Sequence, residues 1–279
     1  MNADELLKRY NEGKRNFRDL HLSGANLKGV NLRGADFRGA NLTGCHLHHA
    51  MLQGVNFREA NLQGVIFREA NLREVNFISS KLMKADLSEA DLSDANLRGA
   101  NLQEASLMRS NLSEASMYEV DLSHASLKEA ILKDANLIRS NFSHAYMKGA
   151  ILEGANLTIS LLAEAMLENA NLTKAILHST NFTQANLTQA DLSFAKISGS
   201  NLTDANLTKA QLRAANLTWS TLRGVNFSGA NLYRTKLSWS NLTGANLSDA
   251  VLMNANITNI TLKDATLQGT MMPDGTIHE

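Results

Sequence analysis

One cysteine, Cys45, and one proline, Pro273, stand among 279 residues. A lone thiol excludes an internal disulfide and fits a reducing compartment, so a cytoplasmic location is expected. Excess charge of either sign is also missing. The 27 basic and 27 acidic residues give a formal net of zero, and nothing pulls the chain as a whole toward nucleic acid or a membrane. Long apolar runs are absent. The opening MNADELLKRY is charged and lacks the apolar core of about 7 to 15 residues that a secretory leader needs, so neither a leader nor a membrane span is expected. No glycine-rich phosphate loop, CxxC pair, HExxH or GxSxG occurs, so no catalytic residue, no cofactor and no metal ligand are expected, and an enzyme is not.

What the chain has instead is one phrase said over and over. Ala85 to Ala105, ADLSEADLSDANLRGANLQEA, holds four copies of a five-residue unit: a small residue, Asp or Asn, Leu, then two polar or small residues. The central apolar residue recurs without a slip from Phe17 to Met272, (272 − 17)/5 + 1 = 52 phrases. Period five is neither strand alternation nor helical amphipathicity. A unit that cannot bury its own apolar residue must stack on copies of itself. The centre and the residue two before it read as inward, the residue between them as outward, and the last two as a corner. Side-chain size agrees with that assignment. Of the 52 centres 39 are Leu, 8 Phe, 3 Met and 2 Ile, and 32 of the small inner positions are Ala.

A second period closes the coil. Phe17, Phe37, Phe57 and Phe77 recur every twenty residues, as do Ser140, Ser160, Thr180, Ser200, Ser220 and Ser240. Four phrases therefore make one turn, and residues twenty apart share a column. The phrases "ADLSE", "ANLRG", "ANLTK" and "ANLSD" resemble the A(D/N)LXX unit of the pentapeptide-repeat family. That resemblance implies an all-β fold, a right-handed quadrilateral β-helix; at twenty residues per turn the chain would form about 13 coils, roughly 4.8 Å apart. The run LLKRYNEGKRNF also resembles the opening of cyanobacterial single-domain members, a group that includes a regulator of heterocyst differentiation.

Three segments are expected: a cap helix over residues 1–15, the repeat β-helix over 16–274 and a tail over 275–279. In the cap, Asn2 and Glu5 have capping-box spacing, Leu6, Leu7 and Tyr10 share a face, and Gly13 ends the helix. At the other end Pro273 stops the phrase and Asp274-Gly275 turns. Met271, Met272 and Ile277 either fold over the last coil or leave it open to a second copy, so a homodimer through that end is one expectation.

The surface offers few chemical signals. Arg18, Arg38 and Arg58 form one column, whose like charges either pair with neighbours such as Asp36 and Glu59 or meet an anionic partner. Cys45 should point inward while His46, His48 and His49 point outward, which leaves no common centre for a metal. Apolar residues gather in two places. The first holds Ile131, Tyr146, Ile151, Ile159, Leu161 and Met166, the second Phe194, Trp219, Tyr233 and Trp239. Either group marks a contact site or is tolerated surface.

These features favour a rigid, non-enzymatic interaction module, with a regulatory task, that binds an unidentified protein partner. The alternative is a DNA-mimicking binder of type II topoisomerase (gyrase), as the resemblance implies for some family members. That role needs a strongly acidic surface, and residues 94–186 carry 7 basic against 10 acidic residues. Direct nucleic-acid binding is not expected either, since residues 1–80 hold 11 basic against 8 acidic residues.

Overall fold

A computed structural model describes residues 1–279. Its contacts cluster into two compact units, Met1–Asn141 and Phe142–Glu279, built on one plan.

In each unit the outward residue before a centre makes a parallel bridge to its counterpart twenty residues on. Asn16 pairs with Asp36 and Asn61 with Lys81 in the first unit, Asn181 with Asn201 and Asn216 with Lys236 in the second. Four sides therefore complete each turn, and the inferred register is the observed one. The backbone ladder runs both ways from every side. The Leu97 N–H donates to the Ser116 carbonyl (2.8 Å) and the Asn96 N–H to the Val75 carbonyl (2.9 Å). Corners close by a turn in which the N–H after the corner returns to the centre's carbonyl, as Ala205 does to Leu202 at 3.0 Å. The residue before that N–H has positive φ, the type II pattern that favours glycine. Glycine fills many corners, but Glu89 (φ 61°), Trp219 (61°) and Ile159 (60°) fill others.

The preference for Asn or Asp before each centre has a local cause beyond facing outward. Its side-chain oxygen accepts the N–H two residues later, as Asn96 does from Arg98 (3.2 Å) and Asn206 from Thr208 (3.1 Å). This Asx bond satisfies a corner N–H that the ladder does not reach.

Inside, both Leu97 and Met117 are fully buried on the same wall. The first unit stacks Phe17 on Phe37 (5.4 Å), Phe37 on Phe57 (5.5 Å) and Phe57 on Phe77 (5.4 Å). In the second unit the buried hydroxyl ladder is paired twice over. Ser220 Oγ donates to the Ile197 carbonyl (3.1 Å) and accepts the Ser200 N–H (3.3 Å). Ser220→Ala strands both groups in a dry interior. It is expected to lower stability by about 2 kcal/mol, measured as a shift in the urea midpoint; a shift near zero would mean that the carbonyl and the N–H find other partners.

The two ends differ. Helix α1 (Ala3–Asn11) caps the first coil: Asn2 accepts the Glu5 N–H at 2.9 Å, acidic residues sit in its first turn and basic ones in its last. Leu6 is fully buried and Tyr10 9% exposed, while Leu7 is only half-buried. The Tyr10 hydroxyl donates to the Arg33 carbonyl (3.0 Å), and the Arg15 guanidinium lies 3.8 Å over its ring. At the other end the tail does not fold over the coil. After Pro273 the chain reverses at Gly275 (φ 88°), and Ile277 pairs antiparallel with Met271, extending the edge with its own side chain exposed. Ile257, Leu262 and Leu267 are left half-buried where their counterparts below are sealed. No helix is long and apolar enough to cross a membrane.

Candidate functional site

In the first unit the surface charges largely neutralise one another. Arg18 and Arg38 both reach Asp36 (2.8 and 2.7 Å) and Arg58 reaches Glu59 (3.0 Å), the first of the two arrangements open to the column. Glu89 sits between Arg109 (2.6 Å) and Arg68 (3.3 Å). The Arg109 hydrogen bond, joined by the charges of both arginines, holds its carboxyl below the usual carboxylate range. Cys45 is buried with Sγ against the Leu22 carbonyl, and burial pushes its thiol up, while His46, His48 and His49 lie outside the coil. Arg98 pairs with no carboxylate; it lies over the Tyr118 ring (5.4 Å) beside an open depression of about 300 Å³ lined also by Ser116 and Asn136.

The first apolar group divides among the units and the sides. Ile131, 36% exposed, belongs to the first unit and the remainder to the second. There Tyr146 and Met166 are bridged neighbours on one side, Ile151 occupies the next, and Leu161 lies on another, across a corner from Ile159. Tyr146 and Ile151 are half-buried; Ile159, Leu161 and Met166 are exposed. A partner pressed against one side reaches Leu161 with Ile159, or Met166 with Tyr146. It does not reach all of them.

Ile159 is also the wrong residue for its backbone. A β-branched side chain at φ 60° is strained by about 1 kcal/mol or more. Ile159→Asn, a residue that tolerates this region, is expected to raise stability by roughly 0.5 to 1 kcal/mol. A lower urea midpoint would show instead that Ile159 is held by packing.

The second group is brought together. Trp219 and Trp239 occupy successive levels of one corner with ring centroids 5.0 Å apart and planes 2° from parallel. They remain 65% and 53% exposed, more than any buried role would allow. Phe194 stands at the preceding corner, 51% exposed, and Tyr233 lies half-buried just beyond it. Arg213 joins these last two, its guanidinium 6.0 Å from the Phe194 ring and 5.9 Å from the Tyr233 ring, and Arg234 lies 5.0 Å from Tyr233. Neither arginine stood out in the sequence, although Arg213 is one coil below Tyr233 in the same column. Between the two corners runs one side of the coil, carrying exposed Lys196 and Lys236.

Comparison with known proteins agrees with the repeat. A model described as pentapeptide repeats matches residues 21–58, 121–158, 150–189, 190–229 and 230–269, and one described as a pentapeptide repeat region matches 50–127. Among solved structures, HetL, a pentapeptide repeat protein involved in heterocyst differentiation regulation from the cyanobacterium Nostoc sp. strain PCC 7120, is 30% identical over 100% of both chains, with a TM-score of 0.36. Rfr23 from the cyanobacterium Cyanothece 51142 is 33% identical over 37% of this chain and 64% of its own (TM-score 0.19). QnrB1, a plasmid-mediated fluoroquinolone resistance protein, is 18% identical over 73% of this chain and 91% of its own (TM-score 0.41). No curated protein matches the chain.

Proposed function

This chain belongs to the pentapeptide-repeat family, and from that premise we propose a non-enzymatic, cytoplasmic interaction module with a regulatory task, which binds a protein partner through columns of outward side chains. The observation that carries this reading is the exposed, stacked Trp219/Trp239 pair. Large aromatic rings held in water on a rigid support are the side chains that dominate protein interfaces. Both sit at positive φ, where Gly or Asn would fit the turn more cheaply, so local folding preference does not account for them.

The test is affinity capture from the native cell with the full chain, the Trp219→Ser/Trp239→Ser double variant and a Leu161→Ser/Met166→Ser double variant. A protein retained by the full chain and lost by the tryptophan variant supports the reading. Retention of the same proteins by both variants sinks it. The topoisomerase alternative is disfavoured by the pairing of Asp36, Glu59 and Glu89 with arginines, which confines the acidic rows to one short column, Glu74, Asp94, Glu114 and Asp134. Gyrase supercoiling is accordingly expected to proceed unaffected.

Half-buried Ile257, Leu262 and Leu267 on the uncovered last coil support a second proposal, that two copies meet there. A sedimentation mass that stays monomeric at every concentration removes it.

A further inference from the structure

We propose that the side between the Phe194 and Trp219 corners docks an extended, acidic segment of the partner protein, which lays one planar side chain, aromatic or proline, against the free face of Trp219. This rests on the protein-binding reading above and names the chemistry of what is bound.

The ring site comes from the column of Trp219. Trp239 covers one face of its indole from the coil above. One coil below in the same column stands Gly199, which has no side chain to cover the opposite face. A Cβ placed on Gly199 would meet only Ser179 Oγ, at 3.8 Å, and no atom of Trp219 lies within 4 Å of it. The column therefore has a missing rung beneath an exposed indole, open to solvent and bounded below by Ser179. A ring entering there stacks on Trp219 as Trp239 does from above.

The charge comes from the neighbouring columns. Residues 190–240 hold Lys196, Lys209, Arg213, Arg223, Arg234 and Lys236 against only Asp191 and Asp204. None of these cations is within ion-pair distance of a carboxylate, whereas most arginines of the first unit are. Lys196 and Lys236 are two coils apart in one column, about 9.6 Å at ~4.8 Å per coil. A segment in the extended polyproline II conformation, with three residues per turn at ~3.1 Å each, covers that distance in one turn, so two carboxylates three positions apart share a face and reach both lysines. Arg213, spread between Phe194 and Tyr233, offers a fork to a further carboxylate at the adjoining corner.

A single-stranded nucleic acid would want successive rings for successive bases and a continuous basic track. Here one indole face is free, and the only cations in the column that leads to it are Lys196 and Lys236, separated by Asn216. A neutral glycan would leave the cations without a purpose. Peptide chemistry uses both features.

The chain carries its own reporter, because Trp219 and Trp239 are its only tryptophans. The full-length protein is titrated, following tryptophan emission, with the peptide Gly-Ser-Asp-Phe-Pro-Asp-Ser-Gly, with versions carrying Asn or Lys in place of both Asp, and with an oligothymidylate of similar length. The acidic peptide is expected to give a saturable change that salt weakens, with the Asn version at least about tenfold weaker and the Lys version silent. Lys196→Glu/Lys236→Glu is expected to reverse the preference between the acidic and Lys peptides. Gly199→Asn, which suits the positive φ but fills the missing rung, is expected to weaken the acidic peptide about tenfold with the urea midpoint unchanged. No response to the acidic peptide, equal binding of the Asn version, tighter binding of oligothymidylate, or full affinity in Gly199→Asn each overturns the proposal. If the acidic peptide is silent while the tryptophan variant still loses a captured protein, the acidic-segment assignment falls and the protein-binding reading stands. If capture is blank as well, both fall.

Discussion

Leu97→Asn is expected to cost the first unit about 4 to 6 kcal/mol, the largest loss from any single substitution considered for this chain. Leu97 is fully buried, with Phe77 one level below on its wall and Met117 one level above. Removing a buried leucine side chain costs roughly 2 to 5 kcal/mol through lost burial and the space left behind. The amide that replaces it adds about 1 to 3 kcal/mol, because the wall's backbone groups are already spent on the ladder and offer it no partner. Coils contact only their neighbours, so no distant contact makes up the loss. Asn96→Ala, one residue away but outward, is the matched control. It removes only the Asx bond to the Arg98 N–H and should cost about 1 kcal/mol or less. The two urea midpoints, measured side by side, decide the matter; a Leu97→Asn midpoint as high as that of Asn96→Ala would refute the inward assignment.

The five- and twenty-residue periods made the wall, the column and the coil level of almost every side chain legible before any coordinates, because a repeat that buries one residue per phrase leaves no freedom in register. The stacking of Phe17, Phe37 and Phe57, and of Trp219 on Trp239, follows from arithmetic alone. What stayed hidden depends on reach rather than register. Alternation explains why Asn96 faces out, but only the Asx bond explains why an asparagine or aspartate is chosen there. Arg213 and Phe194 differ by nineteen residues and lie on either side of a corner, so no column links them. The apolar residues over 131–176 fall on neighbouring faces, as the register requires, because successive phrases face successive sides; Tyr146, Ile151 and Leu161 lie on three of them. The course of the tail stayed open for a similar reason. Its turn was readable, but the choice between covering the coil and extending its edge is made by the antiparallel pairing of Ile277 with Met271, outside the repeat's logic.

Stripping α1 from the first coil is expected to cost about 3 to 6 kcal/mol and to make the protein self-associate. Leu6 and Tyr10 each contribute roughly 1.5 to 3 kcal/mol by burial against the coil's open end. The loss also unseats Phe17 and Leu22, now 4% and 5% exposed, and uncovers strand groups of residues 16, 21, 26 and 31 that have no coil beneath them. Leu6→Asp with Tyr10→Ser removes the contact while keeping the full chain, and should show both a lower urea midpoint and a sedimentation coefficient that rises with concentration. The opposite end supplies the comparison. Its tail leaves Ile277 56% exposed and the last coil half-buried, so deleting residues 275–279 removes only edge hydrogen bonds and should cost about 1 kcal/mol. Equal losses at the two ends would mean that α1 is an ornament on a coil that seals itself. A several-fold difference would mean that the first coil depends on α1 to seal it, whereas the last coil is held by its pairing with the coil before it and with the tail strand at Ile277.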